Sequence, residues 1–517
     1  MAGNPLILRI APYEPDMPDY MSQGSDNVMN VYPRTPTSYG PVNSPSAFSG
    51  ALSTRCQGAY FGLDSSGNVN GFAGDSKNLW QLTAATSPTW SNVSKSNNAY
   101  GISGSDQWKF AIFGTRVIAT NIADPVQSFI LGSSSKFADM IVTANAPKAS
   151  FCAVVKSFLV LGNTTDANYG AQPQRVWWSR NGNPTAFDDP GTLAQLAAQY
   201  QTSYQDLLGD NGVVKGIIGN LGNADGAVFM DHAVWRMVWA GGNVVFDFFP
   251  AQGVRGIAAS GSLAQLGDRV YGLFEDGFYV FDGATALPIG ANKVDKAFFA
   301  DLDQQYISNI SAAIDPVNKL YIILYPGAGH NGVNCNKLLM YNWQLDRWSS
   351  AIPISAGAEY IMRALSFGYT LDQLYTILGY TLDTLPYPLD SRVWTGGSLL
   401  LGIFDTLHKL NFFTGTPLAA SVDTSEMQPS PGQVTRFFNS RPIIDGMALP
   451  SVSLGVRNRQ GDALNFGPAV PMNSIGTAPQ RIIGRYARAR ITVPAGASSW
   501  TNLSGVELEG APAGVRY

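Results

Sequence analysis

Apolar and polar residues alternate in short runs through most of the chain, with turn residues between the runs. DRVYGLFEDGFYVFDG, Asp268 to Gly283, shows the unit: apolar positions around Val270, Tyr271 and Leu273, an Asp-Gly turn, apolar positions around Phe278, Val280 and Phe281, and a second Asp-Gly turn. A period of two broken by Asp-Gly predicts antiparallel hairpins. Comparable units recur. From about Ala51, GAYFGLDSSGNVNGFAGDSKNLWQLT gives two strands around Asp64–Gly67 and a third in NLWQL, and TSPTWSNVS closes the unit with Trp90. WKFAIFGTRVIATN, SFCAVVKSFLVLGN, DGAVFMDHAVWRMVWAGG and NKLYIILYPG head later units of the same kind.

Three or four strands in roughly 40 to 50 residues is the period of a β-propeller blade. One small antiparallel sheet cannot bury both faces. Stacking blades around an axis covers them and leaves only short edges exposed. Trp80, Trp90, Trp343 and Trp348, at the ends of blades, are predicted to fill the wedges between them. A large β-sandwich, or two, is the alternative architecture.

Other segments depart from the blade pattern. Residues 191–210 and 291–310 have helical spacing, the second with Phe298, Phe299, Leu302 and Tyr306 on one face. Residues 1–45, rich in Pro, Ser, Gly and Asn, read as an extended N-terminal arm, and 46–360 as the propeller. A Tyr-x-Leu-Asp phrase starts at Tyr369, Tyr380 and Tyr387, and marks 361–397 as a connecting segment in which Thr370 and Thr381 cap short turns. Strand alternation resumes in 398–517, which reads as a sandwich-like docking or platform region. The predicted fold class is all-β: a β-propeller with helical insertions plus a C-terminal β-sandwich-like region.

Composition narrows the setting. At 517 residues the chain can bury a large core and divide into domains. Only 14% of residues are charged, well below the usual quarter, and Gly, Asn, Ser and aromatic residues are abundant. That texture is typical of extracellular or virion β-proteins. Net charge is −4 and no basic run occurs, which argues against a protein that grips nucleic acid. Cys56, Cys152 and Cys335 are scattered, form no metal-type pair, and read as reduced and buried, as in a protein folded in a cytoplasm. MAGNPLILRIAP has no basic region before its apolar stretch and does not read as a signal peptide. No apolar run reaches the roughly 18 residues a membrane span needs.

Candidate chemistry is sparse. His232, His330 and His408 have no metal-type spacing. Nucleophile elbows, phosphate loops and dinucleotide fingerprints are absent from the sequence. DSSGNVNG, Asp64 to Gly71, superficially suggests a calcium loop but lacks alternating oxygen ligands and a terminal Glu, so it reads as a turn. Ser179 to Phe187 echoes a sialidase turn with the wrong spacing and reads as a blade turn. Arg485, Arg488 and Arg490 in GRYARAR read as one strand face, solvated or in interface salt bridges, with a phosphate as the alternative partner. The sequence therefore assigns no catalytic, cofactor-binding or metal residue, no cofactor and no enzymatic activity.

Four stretches in order carry a resemblance: the first blade with FAG and Trp90 (72–90); RVWWSRNGNPTAF (175–187); RVYGLFEDGFYVFDG with LLMYNWQLDRWS (338–349); and LDSRVWTGG (389–397), IFDTLHKLNFFTG (403–415) and GRYARARITVPAG with Trp500. Together they resemble the tail nozzle proteins of short-tailed bacteriophages, also called tail tubular protein B or packaged-DNA stabilisation proteins. The resemblance implies a structural virion protein, assembled in the bacterial cytoplasm and placed in the virion tail. It implies a ring, usually a hexamer, below the portal and a tail adaptor (the head-to-tail connector). The ring forms the distal DNA channel, retains the packaged genome and lets it pass at ejection. Implied partners are further copies of the chain, the adaptor, tail fibres or spikes, genomic double-stranded DNA held without sequence specificity, and the host outer membrane. A receptor- or glycan-binding propeller of the tail is the alternative, and a glycan-cleaving propeller a third. The third predicts two carboxylates facing each other in the central mouth.

Overall fold

A computed structural model of the chain describes residues 6–18, 24–83, 87–143, 145–242, 244–251, 255–367, 397–446, 448–496 and 500–514. Seven four-stranded antiparallel units stand in chain order: 59–92, 109–139, 148–206, 214–250, 264–288, 311–351 and 358–412. We number them blades 1 to 7. Their first strands contact one another around a common axis: blade 2 meets blades 1 and 3, blade 3 meets 4, blade 5 meets 6, blade 6 meets 7, and blade 7 returns to 1. The chain is thus a seven-bladed β-propeller.

The alternation seen in sequence is what drives this arrangement. Each strand sends alternate side chains to opposite faces, so both faces of a blade are apolar and each must be covered. Seven separate buried clusters, one per wedge, do this. Trp90 is buried between blades 7 and 1 beside Phe404 and Leu410, and Trp348 between blades 5 and 6 beside Tyr271 and Phe278. Trp80 and Trp343 pack partly buried against the same two clusters, as the sequence predicts.

The ring closes through a strand from the other end of the chain. Blade 7 takes its first three strands from Ala358–Leu365, Leu399–Asp405 and Lys409–Phe412, and its outer strand from Ser46–Ala51, in register with Lys409 opposite Ala51 and Phe412 opposite Ser46. The propeller therefore extends to residue 412, past the boundary expected at 360, because the last blade straddles the connecting segment. Most of that segment, including all three Tyr-x-Leu-Asp phrases, lies outside the described residues.

The sandwich is likewise built from both ends of the chain. One sheet contains Thr435–Ile444, Ala478–Gly484, Leu503–Pro512 and the N-terminal strands Leu6–Arg9, Val31–Thr35 and Ser38–Pro41. The other contains Ala420–Asp423, Ser451–Arg457 and Tyr486–Val493, and continues without a break into blade 6 through Val28–Met29, which pairs with Ala420–Asp423 on one side and, at Met29–Ser350, with the blade's outer strand on the other. Leu8, Val31, Tyr39, Leu454, Ile491 and Val506 share the core between the sheets. The stretch expected as an arm is thus extended but paired along much of its length. It covers the outer edge of blade 6, which would otherwise expose a row of unpaired backbone groups.

Both helical expectations are shortened. In 191–210 only Ala194–Tyr200 is helical. Gln201 turns left-handed at φ 58°, the Thr202 hydroxyl donates to the Trp178 carbonyl at 2.7 Å, and Ser203–Asp206 becomes the outer strand of blade 3. In 291–310 the helix Asp295–Asp301 is followed by a 3-10 turn over Gln304–Asn309, with Asp303 accepting the Gln305 N–H at the break. Phe298 and Leu302 of the predicted apolar face are buried between blades 5 and 6, with Phe299 partly buried beside them. Asp16, from the N-terminal segment, accepts the N–H groups of Lys296 and Ala297 and so caps that helix.

Candidate functional site on the propeller axis

The innermost strands of all seven blades, or the residues leading into them, line one axial cavity of about 230 Å³, with Tyr60, Phe110, Phe151, Ile217, Leu263 and Tyr360 among its walls. A second cavity of about 150 Å³ shares Lys109, Phe151, Lys215 and Ser260 with the first. Both lie below the roughly 300 Å³ at which drug-sized pockets begin. Gln107, just before blade 2, reaches the segment entering blade 6, where its side-chain N–H group donates to the carbonyls of Ser308 and Ile310 at 3.0 Å each. Gly261 fits beneath it because it has no side chain: a Cβ there would stand 1.8 Å from the Ile310 carbonyl oxygen.

Two lysines face this space. Lys215 is paired, its Nζ 2.6 Å from an Asp231 carboxylate oxygen and 3.3 Å from the Ala258 carbonyl. Lys109 is held differently: its Nζ donates to Gln107 Oε1 at 2.9 Å and lies 6.0 Å from the Phe151 ring centroid. Burial pulls its pKa down to about 8. No Asp or Glu is among the residues lining the larger cavity, and Asp106 is the one carboxylate lining the smaller. The facing carboxylate pair that a glycan-cleaving propeller would place in its mouth is not in either lining.

The residues singled out in sequence are dispersed. His232 pairs with Glu275 across blades 4 and 5, His330 Nε2 lies 2.9 Å from Asp303, and His408 Nδ1 lies 2.6 Å from the buried Glu359. Each histidine thus has its own carboxylate. Among the described residues no group of three or more His, Cys, Asp or Glu side chains could hold a metal ion. Asp64 spends its carboxylate on its own turn, accepting the N–H groups of Ser66 and Asn68 at 2.9 and 2.8 Å and the Asn68 amide at 2.9 Å. Cys56, Cys152 and Cys335 are free and buried.

The arginines of the 175–187 stretch are committed to the blade. Arg175 makes a bidentate pair with Asp206 at 2.7 and 2.9 Å, and its guanidinium lies 3.7 Å from the Tyr204 ring centroid. Arg180 pairs in the same way with Asp188 at 2.6 and 2.8 Å. In GRYARAR the three arginines do not share one face. Arg488 and Arg490 are two apart on the strand Tyr486–Val493, while Arg485 precedes it. Arg488 is buried and donates to the Gly24 carbonyl of the N-terminal segment, and Arg490 pairs with Asp423 at 2.7 and 2.9 Å. Arg488 thus ties this C-terminal strand to the N-terminal segment, and Arg490 ties two neighbouring strands of the sandwich.

Sequence reasoning passed over Lys109, Gln107 and Lys215. A signal was present: KFAIF and VKGIIG each carry a lysine at the start of a blade's first strand, where the propeller reading already puts the axis.

Ladder order and wedge cores define the class of the molecule as a seven-bladed β-propeller closed by an N-terminal strand and joined edge-on to a β-sandwich. No protein-family model and no curated protein matches the chain. Among solved structures it is similar to the WD40 β-propeller domain of Doa1, with a TM-score of 0.38 and 6% identity, covering 72% of this chain and 96% of that one. It is also similar to the extracellular domain of BT4673 from B. thetaiotaomicron, with a TM-score of 0.40 and 11% identity, covering 85% of this chain and 48% of that one. No helix among the described residues is long and apolar enough to cross a membrane.

Proposed function

We propose that the chain is a ring-forming structural subunit of the tail nozzle of a short-tailed bacteriophage. Four stretches in matching order carry the resemblance, and their described parts fall on blades 1, 3, 5, 6 and 7 and on the sandwich, so the likeness spans both parts of the molecule. The order of these stretches is the observation that carries this reading, and the filled axis limits where a channel can run: a cavity of about 230 Å³ inside the propeller cannot pass duplex DNA. A DNA channel built from this chain therefore runs between copies, with the propellers and sandwiches as its wall. Weak charge suits such a wall, since every Lys or Arg contact to phosphate would add salt-dependent grip on a polymer that must slide.

Electron microscopy of the protein on its adaptor ring or virion tests the reading. A ring of copies around a DNA-width lumen at the distal tail is expected. A chain that stays monomeric beside its adaptor and is missing from purified virions would overturn it.

The receptor- or glycan-binding reading has one observation in its favour. Trp239 and Phe249 on blade 4 are about half exposed, at 48% and 49%. Exposed aromatic rings on a blade rim are the surface that stacks on sugars and anchors protein partners.

A further inference from the structure

We propose that the axial cavity binds a small oxyanion, a carboxylate or a tetrahedral phosphate- or sulfate-type group, with the Lys109 ammonium as its charge partner. The inference does not depend on the nozzle reading.

Three observations converge on it. First, an ammonium group drawn partly out of water is stabilised by a counter-charge that offsets its lost hydration. Lys109 has a neutral amide oxygen instead, and no carboxylate of the described residues stands within ion-pair distance. Second, Lys109 is held in place. Gln107 is fixed by its two bonds to the segment entering blade 6, so its Oε1 aims the ammonium where the two cavities meet. Third, the wall of the larger cavity holds two lysines, Lys109 and Lys215, and no Asp or Glu. Ser260 lines both cavities and Ser150 the smaller, which puts two hydroxyl-bearing residues beside the cation. The cavity volume admits a few-atom anion and excludes a nucleotide or oligosaccharide.

Around Lys109 the larger cavity has no carboxylate in its wall, and Asp106 is the one acid lining the smaller. The Cys152 thiol is pushed up to about 11 by burial and stays neutral. Burial also raises the phenols of Tyr60 and Tyr360. Lys215 is matched by Asp231, and Asp106 accepts the Ser103 hydroxyl at 2.9 Å.

The test is a titration of the full chain with sodium sulfate and, separately, sodium malonate. Sodium chloride at matched ionic strength is the reference, and binding is read by calorimetry and melting temperature between pH 6.5 and 9.5. Sulfate keeps a constant charge across this range and malonate does so above about pH 7.5, so a pH dependence there belongs to the protein. Saturable binding of either anion is expected, weakening as pH rises through about 8, where free Lys109 gives up its proton. Lys109→Met should lower the affinity at least about tenfold. Tighter sulfate assigns a tetrahedral ligand and tighter malonate a carboxylate. Responses no different from chloride, unchanged affinity in Lys109→Met, or a flat pH profile would each overturn the proposal. If Lys109→Met does not fold, the pH profile of the unaltered chain decides alone.

Discussion

Asp295 shows how one residue can set a pH dependence. It opens the helix Asp295–Asp301 and accepts the Phe278 N–H at 3.1 Å, while Gly277 and Gly290 pack so tightly against it that a Cβ at either would touch its carboxylate. Burial raises its pKa to about 6, with Asp16 and Asp276 adding repulsion. A carboxyl whose folded pKa is raised binds its proton more tightly in the native state than in the unfolded one. Its stabilising contribution is therefore greatest in acid and is lost as pH climbs from about 4 to 6. Asp295→Asn keeps an acceptor for the Phe278 N–H and removes the charge. Its melting temperature should exceed that of the parent at pH 7 and converge with it near pH 4. A gap of equal size at both pH values would refute the assignment. This role had no sequence signal, because Asp295 in ANKVDKAFFA reads as an ordinary helix-opening acid. The tryptophans did carry one: a large ring at the end of an alternating strand has nowhere to go but a wedge, and Trp90 and Trp348 went there.

At the scale of elements, alternation with Asp-Gly turns made the hairpins legible, since a period of two and a tight turn are local properties. What could not be read were pairings whose partner lies hundreds of residues away. SAFSGA has no feature that distinguishes a blade strand from a loop, yet Ser46–Ala51 closes blade 7 against Lys409–Phe412. Likewise LILR and VYPRT look like an arm until the C-terminal strands they pair with, or lie beside in the same sheet, are known. The closing strand yields a prediction. The Phe48 ring lies 4.5 Å from Phe412 and 6.2 Å from Phe367, all within blade 7 and its wedge with blade 1. Phe48→Ala should cost about 2–3 kcal/mol of unfolding free energy. Because the strand joins the first and last parts of the ring, hydrogen exchange should also rise in blades 7 and 1 before the others. Uniform exchange across all seven blades would mean that closure does not depend on this strand's packing.

At the scale of the whole molecule, the proposed nozzle reading requires a surface that joins copies into a ring. A closed ring needs two unlike faces on each subunit. The outer face of the sandwich has the character of one. Phe438 and Ile483 are exposed at 46% and 48%, and Arg436, Arg441 and Arg481 surround them on the same sheet. Arg436 lies opposite Ile483 across the strand pair, with its guanidinium 5.9 Å from the Phe438 ring centroid. Aromatic residues and arginine are the types enriched in protein interfaces. Three arginines stand there against Glu507 and Glu509, with Glu507 3.8 Å from Arg441, whereas residues 46–412 hold more acidic than basic side chains, so another copy's propeller would be the complementary partner. Phe438→Asp removes the ring and places a negative charge among the arginines at an exposed position, where stability should change by only about 0.5 kcal/mol. The expected result is a subunit with near-parental melting that no longer forms rings with its adaptor. A variant that assembles normally would exclude this face and leave the half-exposed rim of blade 4, around Trp239 and Phe249, as the surface to alter next.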